Sequence, residues 1–295
     1  MPGRADVIDQ TVAIEGANLH VSTSGDSGPA VLLLHGFPQT HLTWRHVAPA
    51  LADSFQLVCP DLPGYGASDP PSGADDPAAY AKRRTAETMV ELMHHLGHHR
   101  FAVIGHDRGA LVALRAGLDH PDAVTHVGAL DIIPTVDNWA ALSGVAGVFA
   151  FHLYLLAQPT DLPERLIGAD PGTFFGHFLD TWVKQPGAIG ADVRAAYLAS
   201  CRHPEVIHAI CQDYRASAFV DAEHDAADQN AGRRLTMPTL AMWQDPGGTP
   251  LPFNPPQIWQ SWANVLRTEV LPCGHFLPEE QPDLVAAAIR DLLAG

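Results

Sequence analysis

One short segment constrains the fold of this chain more than any other, the turn Gly105-His106-Asp107-Arg108-Gly109. The apolar run Phe101–Ile104 precedes it and predicts a short buried strand, while residues 109–119 show a helical pattern. Glycines on both sides of Asp107 allow a tight turn whose backbone can approach neighbouring elements closely. A strand that turns directly into a helix in this way is typical of a parallel sheet with helices on its faces.

The alternation of strand and helix patterns along the chain supports an α/β fold. The apolar run Ala30–Leu34 has the unbroken character of a central strand that is buried on both faces. Helical patterns are expected around residues 44–52, over 78–96 and over 283–293. Further strands are predicted at Val7–Ile14, Leu19–Thr23, Phe55–Cys59, Val124–Leu130, Pro238–Trp243 and Arg267–Leu271. The predicted central sheet is therefore mostly parallel and is flanked by helices.

Residues 134–231 interrupt this alternation. The segment is rich in Leu, Phe, His and Trp, contains Pro and Gly breaks, and is predicted to be largely helical. We interpret it as a helical cap inserted over the end of the sheet. The predicted domains are a core made of residues 1–133 and 232–295, and a cap made of residues 134–231.

The turn at Asp107 matches the nucleophile elbow G-x-S-x-G, with aspartate in place of serine. A carboxylate can displace a leaving group from saturated carbon without prior deprotonation, and the product is an alkyl ester of the protein. Water must then attack the ester carbonyl, and the resulting oxyanion needs hydrogen-bond donors. The candidate donors are the backbone N–H of Arg108 and that of Phe37, in the loop His35-Gly36-Phe37-Pro38 after a central strand.

The candidate base for the attacking water is His275, which follows the last predicted strand. The chain has 17 histidines, so the position of His275 carries this assignment. Two carboxylates could orient the imidazole, since Asp131 and Asp245 each follow a strand and lie at the carboxyl edge of the sheet. Asp131 is favoured because a polar group that ends an apolar strand needs a partner. It also keeps the order nucleophile, acid, histidine along the chain.

Composition excludes several other classes of function. The chain has 17 Lys and Arg residues against 33 Asp and Glu, and the formal charge of −16 argues against a nucleic-acid or anionic-membrane partner. Four cysteines without a CxxC pattern indicate buried or free thiols of a reducing compartment. The start of the chain lacks an apolar signal region, and no apolar run reaches transmembrane length. A cytoplasmic protein with a small-molecule substrate is expected.

Several segments resemble the fluoroacetate dehalogenase and epoxide hydrolase group of the α/β-hydrolase fold. The resemblance covers essentially the whole chain, including the cap, and implies an α/β-hydrolase core with Asp131 as the relay acid. It rests on Gly-His-Asp-Arg-Gly (105–109), Leu-Asp-Ile-Ile-Pro-Thr (130–135), Leu-Ala-Gln-Pro-Thr-Asp-Leu-Pro-Glu (156–164), Cys-Gln-Asp-Tyr-Arg-Ala (211–216) and Gly-His-Phe-Leu-Pro-Glu-Glu (274–280).

The chain departs from the haloacetate dehalogenases of this group at two places. They clamp the substrate carboxylate with a pair of arginines, and the matching positions here are Arg108 and Leu111. They also hold the departing halide with a His-Trp pair and a tyrosine, and the matching residues are His152, Leu153 and Tyr214. The indole N–H donor is missing and leucine cannot replace it. Leu111 and Leu153 are both predicted to make the pocket more apolar, which suits a neutral substrate.

The remaining pair, His152 and Tyr214, resembles the cap donors with which some epoxide hydrolases stabilise the opening epoxide oxygen. Other epoxide hydrolases use two tyrosines, so Tyr154 is a further candidate for binding this oxygen or a halide. We therefore rank epoxide hydrolysis first and haloacid dehalogenation second. A non-catalytic ligand-binding relative ranks third, because such relatives are expected to have lost catalytic groups.

The resemblance implies neither a cofactor nor a metal in the reaction, because side chains and water complete the mechanism. Relatives in this group are often dimers, so a homodimer is a possible assembly.

Overall fold

The computed structural model describes residues 7–14, 17–247 and 251–295. The sequence analysis expects no apolar signal region at the start of the chain. Residues 1–6, which belong to that start, lie outside the described ranges. Within the ranges, none of the helices is both long and apolar enough to cross a membrane.

The centre of the molecule is a sheet of eight strands in the described ranges. The strands are β1 Ile8–Ile14, β2 Ala17–Ser24, β3 Ala30–Leu34, β4 Gln56–Pro60, β5 Phe101–His106, β6 Val124–Leu130, β7 Leu235–Gln244 and β8 Ala263–Leu271. Their order across the sheet is β1-β2-β4-β3-β5-β6-β7-β8. The pairs β1·β2 and β2·β4 are antiparallel, and every other neighbouring pair is parallel.

The helices of the core cover both faces of this sheet. They are α1 Val47–Leu51, α2 Lys82–His95 and α3 Arg108–Asp119, and after the cap α12 Pro255–Trp262, α13 Leu277–Glu280 and α14 Pro282–Ala294. The continuous helix predicted over residues 78–96 is wrong at its start. A 3₁₀ turn at Pro77–Tyr80 is capped by Asp76, and the extended backbone of Ala81, with ψ of 139°, separates it from α2.

Residues 134–231, which we call the cap, form a series of helices. They are α4 Thr135–Ala141, α5 Ala146–Phe149, α6 Phe151–Leu156, α7 Leu162–Ala169, α8 Pro171–Thr181, α9 Ala191–Ser200, α10 Pro204–Ala216 and α11 Ala222–Asn230. A π-helical turn, Ser217–Asp221, joins α10 to α11. The cap begins directly after β6 and the chain then returns to the sheet at β7, so it stands at the carboxyl ends of the strands.

The parallel strands bring the predicted functional turns to one edge of the sheet. Every residue of β3 and of β5 is buried, as expected for central strands covered on both faces. In the register, Leu34 pairs with Gly105, His106 with Leu130, and Leu130 with Met242. The ends of β3, β5, β6 and β7 therefore lie side by side. The observed order confirms the predicted mostly parallel sheet flanked by helices.

Candidate active site

The elbow after β5 fixes Asp107 in a conformation that side chains rarely adopt. Asp107 has φ of 49° and ψ of −118°, and it stands immediately before the first residue of α3. A Cβ atom at Gly105 would lie 2.2 Å from the backbone of Gly109, and one at Gly109 would lie 2.4 Å from the carbonyl oxygen of His35. Both glycines are therefore required by close backbone packing, and this packing holds the turn in its strained form.

The loop after β3 supplies a backbone donor to the Asp107 carboxylate. The N–H of Phe37 donates to Asp107 Oδ1 at 2.8 Å. A Cβ atom at Gly36 would lie 2.4 Å from the Asp107 Cβ, so glycine is needed for this approach. Arg108 is the first residue of α3, where a backbone N–H has no partner inside the helix. The geometry thus brings Phe37, Asp107 and the start of α3 together.

His275 lies between Asp131 and Asp107. Its Nδ1 donates to Asp131 Oδ2 at 2.6 Å, and its Nε2 is 3.8 Å from Asp107 Oδ2. Asp131 also accepts the backbone N–H and the side-chain Nε2 of Gln244, both at 2.9 Å. Asp245, the other carboxylate that the sequence left open, accepts the N–H of Gly247 within its own turn. In the structure, Asp131 is therefore the carboxylate that bonds to His275, while Asp245 stabilises a turn.

The surroundings of His275 favour its protonated form. Burial by itself would lower the pKa of His275, but the hydrogen bond to Asp131 and the charges of Asp131, Asp107 and Glu280 raise it above the usual value. Its Nε2 is buried and has no hydrogen-bond partner among the described residues. This nitrogen therefore points toward Asp107, 3.8 Å from its Oδ2, and no other described residue engages it. His106 supports the loop from below, since its Nε2 donates to the carbonyl oxygen of His275 at 2.7 Å.

A clamp between the cap and the His275 loop is a feature that sequence reasoning missed. Glu280 Oε2 accepts three backbone N–H groups, those of Lys184 and Gln185 at 2.8 Å and that of Gly274 at 3.0 Å. The N–H of His275 donates to the carbonyl oxygen of Trp182 at 2.9 Å. The chain segment after α8 is thus fastened to the loop that carries the base. The motif ending in two glutamates was visible in the sequence, but no pattern indicated which backbone it would hold.

A cavity of about 570 Å³ separates the core edge from the cap. Asp107, Asp131 and His275 lie at its floor, and its walls are mostly apolar. The apolar lining includes Ile132, Ile133, Leu142, Phe149, Ala150, Leu153, Trp182, Trp243, Leu251 and Phe253. A cavity of this size accommodates a ligand with a substantial apolar group.

Two polar cap residues line this cavity among aromatic rings. His152 packs against Trp182 with ring centroids 5.0 Å apart, and against Tyr214 at 5.9 Å. Burial lowers the pKa of His152 to about 3, so its imidazole is neutral, and its Nδ1 has no partner among the described residues. Burial also raises the pKa of Tyr214 well above its usual value, which keeps the phenol protonated. Both groups are therefore neutral donors on the cavity wall.

The side chain of Arg108 also reaches the cavity, but a cap carboxylate engages it. Its Nε donates to Asp213 Oδ2 at 2.7 Å and its Nη2 donates to the Asp213 carbonyl oxygen at 3.0 Å. The guanidinium carbon stands 4.3 Å from the centre of the Tyr214 ring. Burial by itself would raise the pKa of Asp213, but the charges of Arg108 and Lys82 hold it well below its usual value. Arg108 is thus paired with a carboxylate within the protein.

Two predicted pocket residues lie elsewhere, and one was overlooked. Tyr154 is 39% exposed and its hydroxyl donates to the Leu142 carbonyl oxygen at 2.9 Å, so it stands outside the cavity as a support for the α4–α5 connection. Leu111 is buried on α3 and is not among the residues that line the cavity. Leu153 does line the cavity, as predicted. Trp182 lines it too, and at the end of a cap helix it gave no distinguishing sequence signal.

Fold and site together define an α/β-hydrolase enzyme with aspartate at the elbow. The family model described as alpha/beta hydrolase fold matches residues 29–162. A fluoroacetate dehalogenase from Burkholderia sp is 41% identical over 275 residues, which is 92% of this chain and 88% of that protein. A soluble epoxide hydrolase from Corynebacterium sp. (strain C12) is 33% identical over 284 residues, 95% of each chain.

Solved structures give the same relationship. A Pseudomonas aeruginosa protein that is provisionally named an epoxide hydrolase is 42% identical, with a TM-score of 0.92 over 100% of this chain and 96% of that one. The chain therefore belongs to the epoxide hydrolase and fluoroacetate dehalogenase group of the α/β-hydrolase fold. It is a hydrolase of the epoxide hydrolase or haloacetate dehalogenase type.

Proposed function

We propose that this enzyme hydrolyses epoxides to vicinal diols through a covalent ester on Asp107. The observation that carries the proposal is the character of the cavity above Asp107. Its cap wall offers two neutral donors, His152 and Tyr214, amid apolar side chains. The guanidinium in this cavity, that of Arg108, is already paired with Asp213. Neutral donors in an apolar cavity suit an uncharged substrate whose oxygen becomes negative during the reaction.

In the first step, Asp107 Oδ2 attacks a ring carbon of the epoxide and the carbon–oxygen bond of the ring breaks. Oδ2 is suited to this because Oδ1 already accepts the N–H of Phe37. The negative charge moves to the former ring oxygen, which His152 and Tyr214 stabilise by donating hydrogen bonds. This oxygen takes the proton of the Tyr214 hydroxyl. The product is an alkyl ester whose carbonyl oxygen, Oδ1, remains in the oxyanion site.

In the second step, water attacks the Asp107 carbonyl carbon while His275 Nε2 takes one of its protons. Asp131 holds the imidazole with Nδ1 protonated and stabilises the imidazolium that forms. The Phe37 and Arg108 N–H groups stabilise charge on Oδ1. The ester bond then breaks, and the diol oxygen leaves with the proton from His275. The second proton of the water returns through solvent to Tyr214, which restores the enzyme.

Haloacetate dehalogenation is the second candidate, favoured by the 41% identity to a fluoroacetate dehalogenase. It would use the same Asp107 attack, with halide as the leaving group. The pairing of Arg108 with Asp213 weakens its ability to bind a substrate carboxylate. The cavity of about 570 Å³ is also large for a substrate that is only a few atoms long. We therefore rank it second.

The test offers the purified enzyme an aromatic epoxide and, in separate assays, fluoroacetate and chloroacetate. Asp107→Ala serves as the blank, because it removes the attacking carboxylate. Diol formation without halide release supports epoxide hydrolysis. Halide release without diol formation would reverse the ranking, and activity in the Asp107→Ala blank would overturn the covalent mechanism itself.

A further inference from the structure

A second cluster of polar side chains lies at the far edge of the sheet from β7 and β8. It combines Asp9 on β1, His20 on β2 and His41 in the segment after β3. One possible ligand atom from each of the three lies within 4.8 Å of those from the other two. The strands β4 and β3 stand between the β1–β2 hairpin and the elbow strand β5. The cluster therefore belongs to a different part of the molecule from Asp107.

The strand register accounts for part of this arrangement. Asp9 pairs with Ser22 across the β1–β2 hairpin, and His20 lies two residues before Ser22 on β2. Residues two apart on a strand point to the same face, so Asp9 and His20 are diagonal neighbours on one side of the hairpin. The His20 and His41 rings are 4.5 Å apart between centroids, which brings the third group onto this side.

A buried carboxylate, Asp61, orients the His41 imidazole and lies beside that of His20, whose Nδ1 has no hydrogen-bond partner among the described residues. The Nδ1 of His41 donates to Asp61 Oδ1 at 2.8 Å, and the backbone N–H of His41 donates to the same oxygen at 2.7 Å. The Nδ1 of His20 is 3.5 Å from Asp61 Oδ2. Asp61 is only 1% exposed and is anchored by the N–H of Ala67 at 2.9 Å. Because Asp61 accepts a hydrogen bond from Nδ1 of His41, the Nε2 of that ring keeps a lone pair for a ligand, as in metal-bound histidines whose second nitrogen bonds to a carboxylate. The unpartnered Nδ1 of His20 is a further nitrogen that an ion could take.

Space for further ligands adjoins the cluster. A cavity of about 430 Å³ is lined by Asp9, His41 and Trp44, among other residues. The indole Nε1 of Trp44 is buried there and has no hydrogen-bond partner among the described residues. The cavity gives room for water molecules to complete the coordination of an ion held by only three side chains.

We propose that Asp9, His20 and His41 bind one divalent transition-metal ion, with Zn²⁺ as the probe ion. Two imidazoles and a carboxylate suit zinc and its neighbours, whereas calcium and magnesium prefer all-oxygen sites. The separation of the ligand atoms requires a small closure around the ion, and Asp9 is free to make it because it is an exposed side chain on the outermost strand. The formal charge of −16 also favours a cation.

The expected consequence is stabilisation of the amino-terminal hairpin. A bound ion would connect β1 and β2 to the segment that begins with the Phe37 loop and includes His41. Because the ligands come together only in the folded chain, binding free energy adds to folding free energy. The ion has no part in the reaction at Asp107.

Equilibrium dialysis of the full chain against ZnCl₂, followed by metal analysis, tests this proposal. One Zn²⁺ per chain is expected for the wild type, with at least a tenfold weaker affinity for Asp9→Asn and for His41→Gln. The unfolding temperature of the wild type should rise by roughly 5 °C at free zinc about 100 times Kd. Asp9→Asn changes an exposed side chain, so it separates loss of the ligand from loss of the fold.

The matched control is His94→Ala, because His94 and His99 form another histidine pair with ring centroids 5.2 Å apart. Both of these residues are exposed on or just after α2. This variant should keep the zinc affinity and the thermal shift of the wild type. The proposal is overturned if Asp9→Asn and His41→Gln bind zinc as tightly as the wild type. It is equally overturned if His94→Ala loses as much affinity as they do, because binding would then be spread over surface histidines.

Discussion

The two walls of the active-site cavity are built in different ways. On the core wall, hydrogen bonds of 2.6 to 2.9 Å join Phe37 to Asp107, His275 to Asp131, and Asp131 to Gln244. On the cap wall, His152 and Tyr214 are held by ring contacts 5 to 6 Å between centroids. Directional hydrogen bonds therefore hold the carboxylates and the imidazole of the core wall. Packing between aromatic rings holds His152 and Tyr214 on the cap wall.

This difference indicates a division of labour between the walls. Directional bonds hold reacting groups in one geometry, which nucleophilic attack and proton transfer both require. Packing contacts tolerate exchange of one apolar side chain for another of similar volume. We infer that the core wall carries the chemistry shared by epoxide and haloacid substrates, and that the cap wall selects between them. Changes on the core wall should abolish steps, while changes on the cap wall should alter rates and preferences.

The largest expected effect comes from His275→Gln. Glutamine cannot accept the water proton, so ester hydrolysis should slow by more than about 10⁴-fold while ring opening continues. Mass spectrometry after incubation with an epoxide should then detect the protein carrying one equivalent of substrate. Asp107→Ala treated in the same way should carry none. Normal turnover by His275→Gln, or the absence of any adduct, would place the base elsewhere.

A paired comparison of Asp131→Asn with Asp245→Asn tests the relay acid. Asparagine at 131 removes the charge that raises the pKa of His275, and its amide favours the wrong imidazole tautomer, so hydrolysis should slow by about 10³ to 10⁴-fold. Asparagine at 245 can still accept the N–H of Gly247 and should change the rate by less than about twofold. Single-turnover rates of ester decay measure both. The opposite ranking would make Asp245 the relay acid.

The same two walls differ in what the sequence could predict. The positions of Asp107 and Asp131 follow from where apolar strands end, because parallel strands deliver their carboxyl ends to one edge. Sequence reasoning favoured Asp131 over Asp245 but did not exclude Asp245, since both carboxylates follow a strand. The structure adds the geometry: Asp131 has φ of 51° and bonds to His275, while Asp245 accepts a hydrogen bond within its own turn.

The cap wall was less predictable because its residues meet through tertiary packing. Tyr154 is two residues from His152 on the same short helix, and two positions on a helix point in different directions, so it faces outward. Trp182 comes from another helix altogether and reaches His152 through contacts that no local period encodes. The catalytic and binding roles of these residues remain predictions that rest on their placement.

Tyr214→Phe should produce the largest effect on the cap wall. Loss of the hydroxyl removes one of the two donors to the epoxide oxygen, so ring opening should slow at least tenfold, or about 1.4 kcal/mol. Tyr154→Phe is the matched control, because its hydroxyl bonds to Leu142 outside the cavity, and it should keep ring opening within about twofold. Rapid-quench measurement of ester formation separates this step from hydrolysis. Equal effects of the two variants would remove Tyr214 from the reaction.

Substitution of Glu280, which lies where the two walls join, should have the smallest effect on ester hydrolysis. Its negative charge helps to raise the pKa of His275, so both Glu280→Gln and Glu280→Ala should lower that pKa. His275 acts as a base only when neutral, so the acidic limb of ester hydrolysis should move to lower pH in both variants, by less than about one unit.

Only Glu280→Ala also removes the oxygen that accepts the N–H groups of Lys184, Gln185 and Gly274. Glutamine keeps an acceptor there and should hold the loop. The pH-independent rate should therefore fall about three- to fivefold, or ~1 kcal/mol, in Glu280→Ala and stay near the wild type in Glu280→Gln. A pH profile of single-turnover ester decay measures both quantities. If the plateau falls equally in the two variants, charge and not the clamp connects Glu280 to catalysis, and the two walls act independently.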